Sequence, residues 1–157
     1  VGALNMELPK RKKNRLPFFD YGSAGFYFIT VCTQNKKKIF WATDELRNGQ
    51  PQLSVAGLVV NESILTISKI YPSVFVDQYA VMPNHIHLLL RITAGQAPTI
   101  SYVVGQLKRA VSLRLGEGIW QKSFHDHVVR GYDDYSRIWE YIAYNPLKWN
   151  EDCFYAE

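Results

Sequence analysis

Residues 74–92 read VFVDQYAVMPNHIHLLLRI, and two runs within them set the frame of the fold. Val74–Met82 and His85–Ile92 are both rich in β-branched and aliphatic residues, which favour strands. Only Pro83-Asn84 separates them, a pair suited to a turn. Two strands joined so closely form a hairpin. In the second strand the side chains alternate, so His85 and His87 share one face and Ile86 points to the other.

Working backward, Ser54–Ile70 reads as a helix, with Val60, Ile64, Ile67 and Tyr71 at helical spacing. Pro72 ends it. Residues 42–52 read as a loop around Asn48-Gly49, and Gly25–Gln34 (GFYFITVCTQ) as an aromatic, β-branched strand. Working forward, Thr99 caps a helix whose apolar stripe is Ile100, Val103, Val104, Leu107, Val111 and Leu115, with Gly116 and Gly118 stopping it. Ile119–Val129 reads as a loop running into a strand. A last helix starts near Asp133 and turns Tyr135, Ile138, Trp139 and Ile142 to the core. Pro146 ends or bends it, because the residue before a proline avoids helical geometry. The order β, α, β-β, α, β, α predicts an α+β fold of the ferredoxin-like or RRM-like split βαβ kind. Its sheet is antiparallel with helices on one face, and a C-terminal helix follows. The other sheet face is expected to be available to a ligand.

Length and composition agree with a single globular domain: 157 residues, 47% apolar and 20% charged. Cys32 and Cys153 lack any CxxC spacing and read as reduced thiols. Neither a secretory pattern nor a long apolar run is present, so a cytoplasmic protein without membrane partners is expected. The net charge of +4 is concentrated at the start, where Lys10, Arg11, Lys12, Lys13 and Arg15 face only Glu7. Residues 1–15 therefore read as a basic flexible arm, and 16–157 as a single folded domain. A basic arm on a balanced body suits a polyanion, because cations that neutralise phosphates release counterions.

Two constellations carry chemistry. His85 and His87 can bind one metal ion together, although a lone HxH also arises by chance. On the last helix, Arg137, Tyr141 and Asn145 repeat every four residues and form one polar stripe. A phenol can attack phosphorus, an amide oxygen can complete a metal site, and an arginine can hold a phosphate. Ten tyrosines are present and most must be structural, so by itself Tyr141 reads as packing at the helix margin and Asn145 as terminating the helix.

Taken together, the runs YAVMPNHIHLLL, IWQKSFHDHVVR and YIAYNPLKW, with the opening RKKNRLPFFDYGSAGFYFITVCTQNKKKIF, resemble the REP-associated tyrosine transposases. These are relatives of the IS200/IS605 transposases within the HUH class. The resemblance spans about residues 10 to 152. It implies metal-dependent cleavage and strand transfer of single-stranded DNA at hairpins, through a 5′-phosphotyrosine. It places the nucleophile on Tyr141 and the metal ligands on His85, His87 and Asn145, where IS200/IS605 relatives use glutamine for the third. Two nitrogens and an amide oxygen suit Mg²⁺ or Mn²⁺. Trp120, Phe124, Asp126 and His127 match a further family segment with no assigned chemical role; His127 could lie near the metal or satisfy a core hydrogen bond, and the latter is expected. Lys10, Arg11, Lys12, Lys13, Arg15, Lys36, Lys37, Lys38, Lys108, Arg109 and Arg137 are candidate DNA contacts. The resemblance admits a single chain or a homodimer. Competing readings are a non-catalytic nucleic-acid-binding module, an HUH replication initiator or relaxase, and a metal-dependent hydrolase. The RNA-binding reading needs a strand motif that YFITVC at Tyr27–Cys32 lacks.

Overall fold

A computed structural model describes residues 24–93 and 98–151. The basic run Lys10–Arg15 and Cys153 lie outside these residues. The main sheet has four strands in the order β4-β5-β1-β6, where β1 is Gly25–Cys32, β4 Val74–Met82, β5 His85–Ile92 and β6 His125–Val128. Every pairing is antiparallel. The predicted 74–92 hairpin forms, and the split βαβ order is the one observed.

β1 takes the centre because it suits burial on both faces. Tyr27, Phe28, Ile29 and Val31 are all buried. One face carries Ile86, Leu88 and Leu90 of β5, also fully buried. Their core is continuous with Val60 and Ile64 of α1 (Val55–Leu65) and with Ile100, Val103, Val104, Leu107 and Val111 of α3 (Ile100–Leu115). Both helices start on side-chain caps: Ser54 Oγ accepts from the Gly57 amide at 3.0 Å, and Thr99 Oγ1 from the Tyr102 amide at 3.1 Å. The helix expected over 54–70 is divided at Thr66 into α1 and a short α2 (Ile67–Ile70). The Thr66 hydroxyl donates to the Ser63 carbonyl at 2.8 Å, a local bond that competes with the helical ladder.

The segment read as a loop over 42–52 is instead a hairpin, β2 (Trp41–Arg47) and β3 (Gln50–Leu53). Asn48 and Gly49 both have positive φ, 53° and 75°, the geometry of a tight two-residue hairpin turn. Trp41 fastens it to the main sheet, its indole N–H donating to the Val81 carbonyl at 2.7 Å.

α4 (Gly131–Tyr144) begins slightly earlier than expected and lies on the second sheet face. Tyr135 packs on Phe26 and Tyr141 on Phe28, with ring centres 5.1 and 6.1 Å apart. That face is therefore partly covered rather than open. Ile138 and Ile142 are buried, each contributing about 1.5–3 kcal/mol. Trp139, expected in the core, is exposed. The buried face runs through 138, 142 and 145, and Trp139 sits at its margin. Pro146 does end α4, yet Asn145 keeps helical angles (φ −59°, ψ −43°) and a 3₁₀ segment, Pro146–Glu151, follows. Burial of Asn145 and Trp149 offsets the usual strain before proline.

Candidate active site

Strand register places His85, His87 and Arg91 of β5 on the face that α4 covers. Phe26, Phe28, Thr30 and Cys32 of β1 and His125 and His127 of β6 join them. His85 and His87 are fully buried. Their Nε2 atoms are 3.0 Å apart. Two ligands on adjacent positions of an octahedral ion of this size stand about 3 Å apart. Each outer nitrogen has an oxygen partner: His85 Nδ1 meets Asn84 Oδ1 at 2.7 Å, and His87 Nδ1 meets Thr30 Oγ1 at 2.9 Å. An amide oxygen only accepts, so His85 carries its proton on Nδ1 and presents a lone pair at Nε2.

The C-terminal end of α4 closes over this pair. The Tyr141 ring is 5.5 Å from that of His87, and the Trp149 ring 6.0 Å from that of His85. In sequence Asn145 stands four residues after Tyr141 and four before Trp149, and it is 4% exposed. Its Oδ1 is buried with no hydrogen-bond partner among the described residues. A buried carbonyl oxygen left unpaired costs about 1–3 kcal/mol, and a cation would satisfy it. Among the described residues no group of three or more His, Cys, Asp and Glu gathers in one place. Asn145 Oδ1 is a neutral oxygen that could serve as a third ligand. Two imidazole nitrogens with one amide oxygen could hold a divalent transition-metal ion such as Mn²⁺.

Of the other predicted residues, Lys36, Lys37 and Lys38 are exposed, and Lys38 Nζ sits 5.9 Å from the centre of the Trp149 ring, at the rim of the site. Lys108 and Arg109 line a recess on α3 together with Lys122, and Lys36 and Lys122 line the next one. Lys108 donates to the Gln121 carbonyl at 2.6 Å. Arg137 is exposed and paired with Asp134 at 3.2 Å rather than aimed at Tyr141. His127 lies away from the histidine pair and bonds Asp134 at 2.8 Å, which fixes the start of α4. Burial alone would raise the Asp134 carboxyl; hydrogen bonds from the Arg130 amide, His127 and Arg137 outweigh it and hold it below the usual value. Sequence reasoning missed Thr30, Asn84 and His125. His125 is paired in register with Thr30, beside His87. The alternation within HDH at 125–127 offered a signal, but the face could be assigned only once β6 was paired.

This is a split βαβ domain whose imidazole pair is capped by a tyrosine-bearing helix. No family model matches the chain. An uncharacterised Haemophilus influenzae Rd protein is 31% identical, over 98% of this chain and 97% of that protein. The REP-associated tyrosine transposase of Escherichia coli K12 is 25% identical, over 82% and 70%. A REP-associated tyrosine transposase solved bound to a REP hairpin superimposes with a TM-score of 0.67 at 21% identity, covering 87% of this chain and 74% of that one, which supports the fold. In sequence and in fold the chain is thus similar to REP-associated tyrosine transposases. Among the described residues no helix is long and apolar enough to cross a membrane.

Proposed function

We propose that this protein is a transposase that cleaves and rejoins single-stranded DNA beside hairpins, with Tyr141 as nucleophile and a divalent ion, Mg²⁺ or Mn²⁺, held by His85, His87 and Asn145. The observation that carries this reading is the Tyr141 ring 5.5 Å from His87, whose Nε2 is 3.0 Å from that of His85. The orphaned Asn145 oxygen supports it further. The superimposable transposase was solved bound to a REP hairpin, which supports hairpin DNA as the substrate class here.

The Tyr141 oxygen attacks the scissile phosphorus in line. The bond from phosphorus to the 3′ oxygen breaks, and that oxygen leaves as a hydroxyl. The products are a 5′-phosphotyrosine and a free 3′ end. Attack on the adduct by another 3′ hydroxyl restores the phenol and makes the new junction, so no nucleotide cofactor is consumed. A bound ion would act as a Lewis acid on the non-bridging oxygens. Burial of His85 and His87 keeps water from competing for them, and Phe28 holds the Tyr141 ring edge-on. Lys36, Lys37, Lys38, Lys108 and Arg109, with the arm at Lys10–Arg15, are the proposed phosphate contacts.

The test is incubation with end-labelled hairpin DNA carrying single-stranded flanks, followed by denaturing electrophoresis. Wild type is expected to give a denaturant-resistant adduct, and Tyr141→Phe none. An adduct that survives in Tyr141→Phe removes the assignment. Free ends with no adduct favour a hydrolase, and binding without cleavage favours a passive module.

A further inference from the structure

The sheet face that carries the histidines continues past Phe28 to a second recess. It has a volume of about 650 Å³ and is lined by Phe26, Asp77, Arg91, Gly131, Tyr132 and Tyr135. Its walls are the outer ends of β1 and β5, the bulge in β4 between Val76 and Gln78, and the first turn of α4. The chemistry at Tyr141 uses none of these residues.

Two features suit a flat, polar-edged ligand. The first is aromatic. Phe26 and Tyr135 meet edge to face, and Tyr132 stands 80% exposed at the mouth. The second is Arg91. Its guanidinium lies over Phe75 at 4.3 Å. Its Nε donates to both Asp77 oxygens at 3.1 and 3.2 Å, and Asp77 is itself held by the Tyr135 hydroxyl at 2.8 Å. These contacts fix the fork and leave its two terminal amino groups without a hydrogen-bond partner among the described residues. A fixed arginine fork matches two acceptors side by side. Guanine offers that pair in O6 and N7, whereas adenine sets a donor beside its N7.

We propose that this recess holds one unstacked guanine of the DNA strand engaged at Tyr141, stacked on Phe26 and Tyr132 and read by Arg91 through O6 and N7. The proposal rests on the DNA-processing reading above. Tyr135 and Tyr141 are six residues apart on one helix, about 9 Å of rise, so a strand lying along α4 reaches both places.

The test uses fluorescent oligothymidylates with one central guest base, titrated against the full chain by anisotropy. The guanine guest is expected to bind about fivefold or more tighter than the adenine guest. Inosine keeps that advantage, since it retains both acceptors, and 7-deazaguanine loses it. Arg91→Lys keeps the charge but not the fork, and levels the guests. Tyr132→Ala, at an exposed position, weakens the guanine guest about fivefold or more. Equal affinities for all guests, or a guanine advantage that Arg91→Lys leaves intact, overturn the proposal. If wild type forms the tyrosine adduct but shows no base preference, only the recess assignment falls. If it binds no guest and forms no adduct, both readings fall.

Discussion

Thr30 and His87 share a hydrogen bond of 2.9 Å across the centre of the sheet, both fully buried. Asn84 fixes the proton of His85 on Nδ1, but a hydroxyl can either donate or accept. Without metal, His87 Nε2 can donate to His85 Nε2 while Thr30 donates to His87 Nδ1. With metal, His87 must free Nε2 and place its proton on Nδ1, and the same Thr30 oxygen then accepts it. Thr30→Val fills the space but leaves His87 Nδ1 without that partner. Metal affinity is expected to fall about 10- to 100-fold, while Thr30→Ser retains it. Mn²⁺ titration by calorimetry checks this, and an unchanged affinity in the valine variant refutes it.

The proposed ligand role of Asn145 can be tested apart from folding. Its buried Oδ1 has no partner among the described residues, so Asn145→Ala is expected to move the metal-free melting temperature little. Saturating Mn²⁺ at about 100 times its Kd should stabilise wild type by about 2.7 kcal/mol, or about 5–10 °C. The variant is expected to lose most of that rise and, with it, adduct formation. A full metal-dependent rise in Asn145→Ala would mean that another group supplies the third ligand.

Gly57 shows where packing decides what propensity does not. A Cβ there would meet the Phe40 carbonyl oxygen at 2.0 Å, because the entry to α1 passes directly over the chain leading into β2. Helix propensity alone predicts that Gly57→Ala gains about 1 kcal/mol. The clash with backbone predicts a loss of about 1–3 kcal/mol instead. Urea unfolding gives the sign directly.

That contrast marks the limit of what could be read from the chain. The 74–92 hairpin was legible because two apolar runs flank one turn, and α3 because its stripe and its Thr99 cap agree. The hairpin at 41–53 was not, since Ala42–Glu45 is exposed and alternates no apolar face. Its Asn48-Gly49 turn was visible, but the strands depend on Trp41 docking against Val81, a contact 40 residues away in sequence. At the site, HIH and the Tyr141–Asn145 spacing are local and could be seen. Thr30 and His125 come beside the pair through register, which only the paired sheet supplies, and Asn84 was legible as a turn residue but not as the partner of His85 Nδ1.

Asp134 anchors the helix that carries Tyr141, and this anchor should have a pH signature. Its carboxylate accepts from the Arg130 amide at 2.9 Å, from His127 at 2.8 Å and from Arg137 at 3.2 Å. It also stands in the first turn of α4, where negative charge is favoured. Its folded pKa is lowered, so the stability it contributes is complete above the ordinary aspartate value of 3.8 and is lost as pH falls through the lowered one. Asp134→Asn removes the charge at every pH. It is expected to cost about 1–3 kcal/mol at neutral pH, and that gap should narrow below about pH 4. Melting temperatures of both proteins across the acid range measure this. If the gap stays constant down to the acid limit, ionisation of Asp134 is not what holds α4 in place. If it narrows, the loosened helix start should also slow adduct formation in the variant at neutral pH, because the Tyr141 oxygen is positioned only as firmly as the helix beneath it.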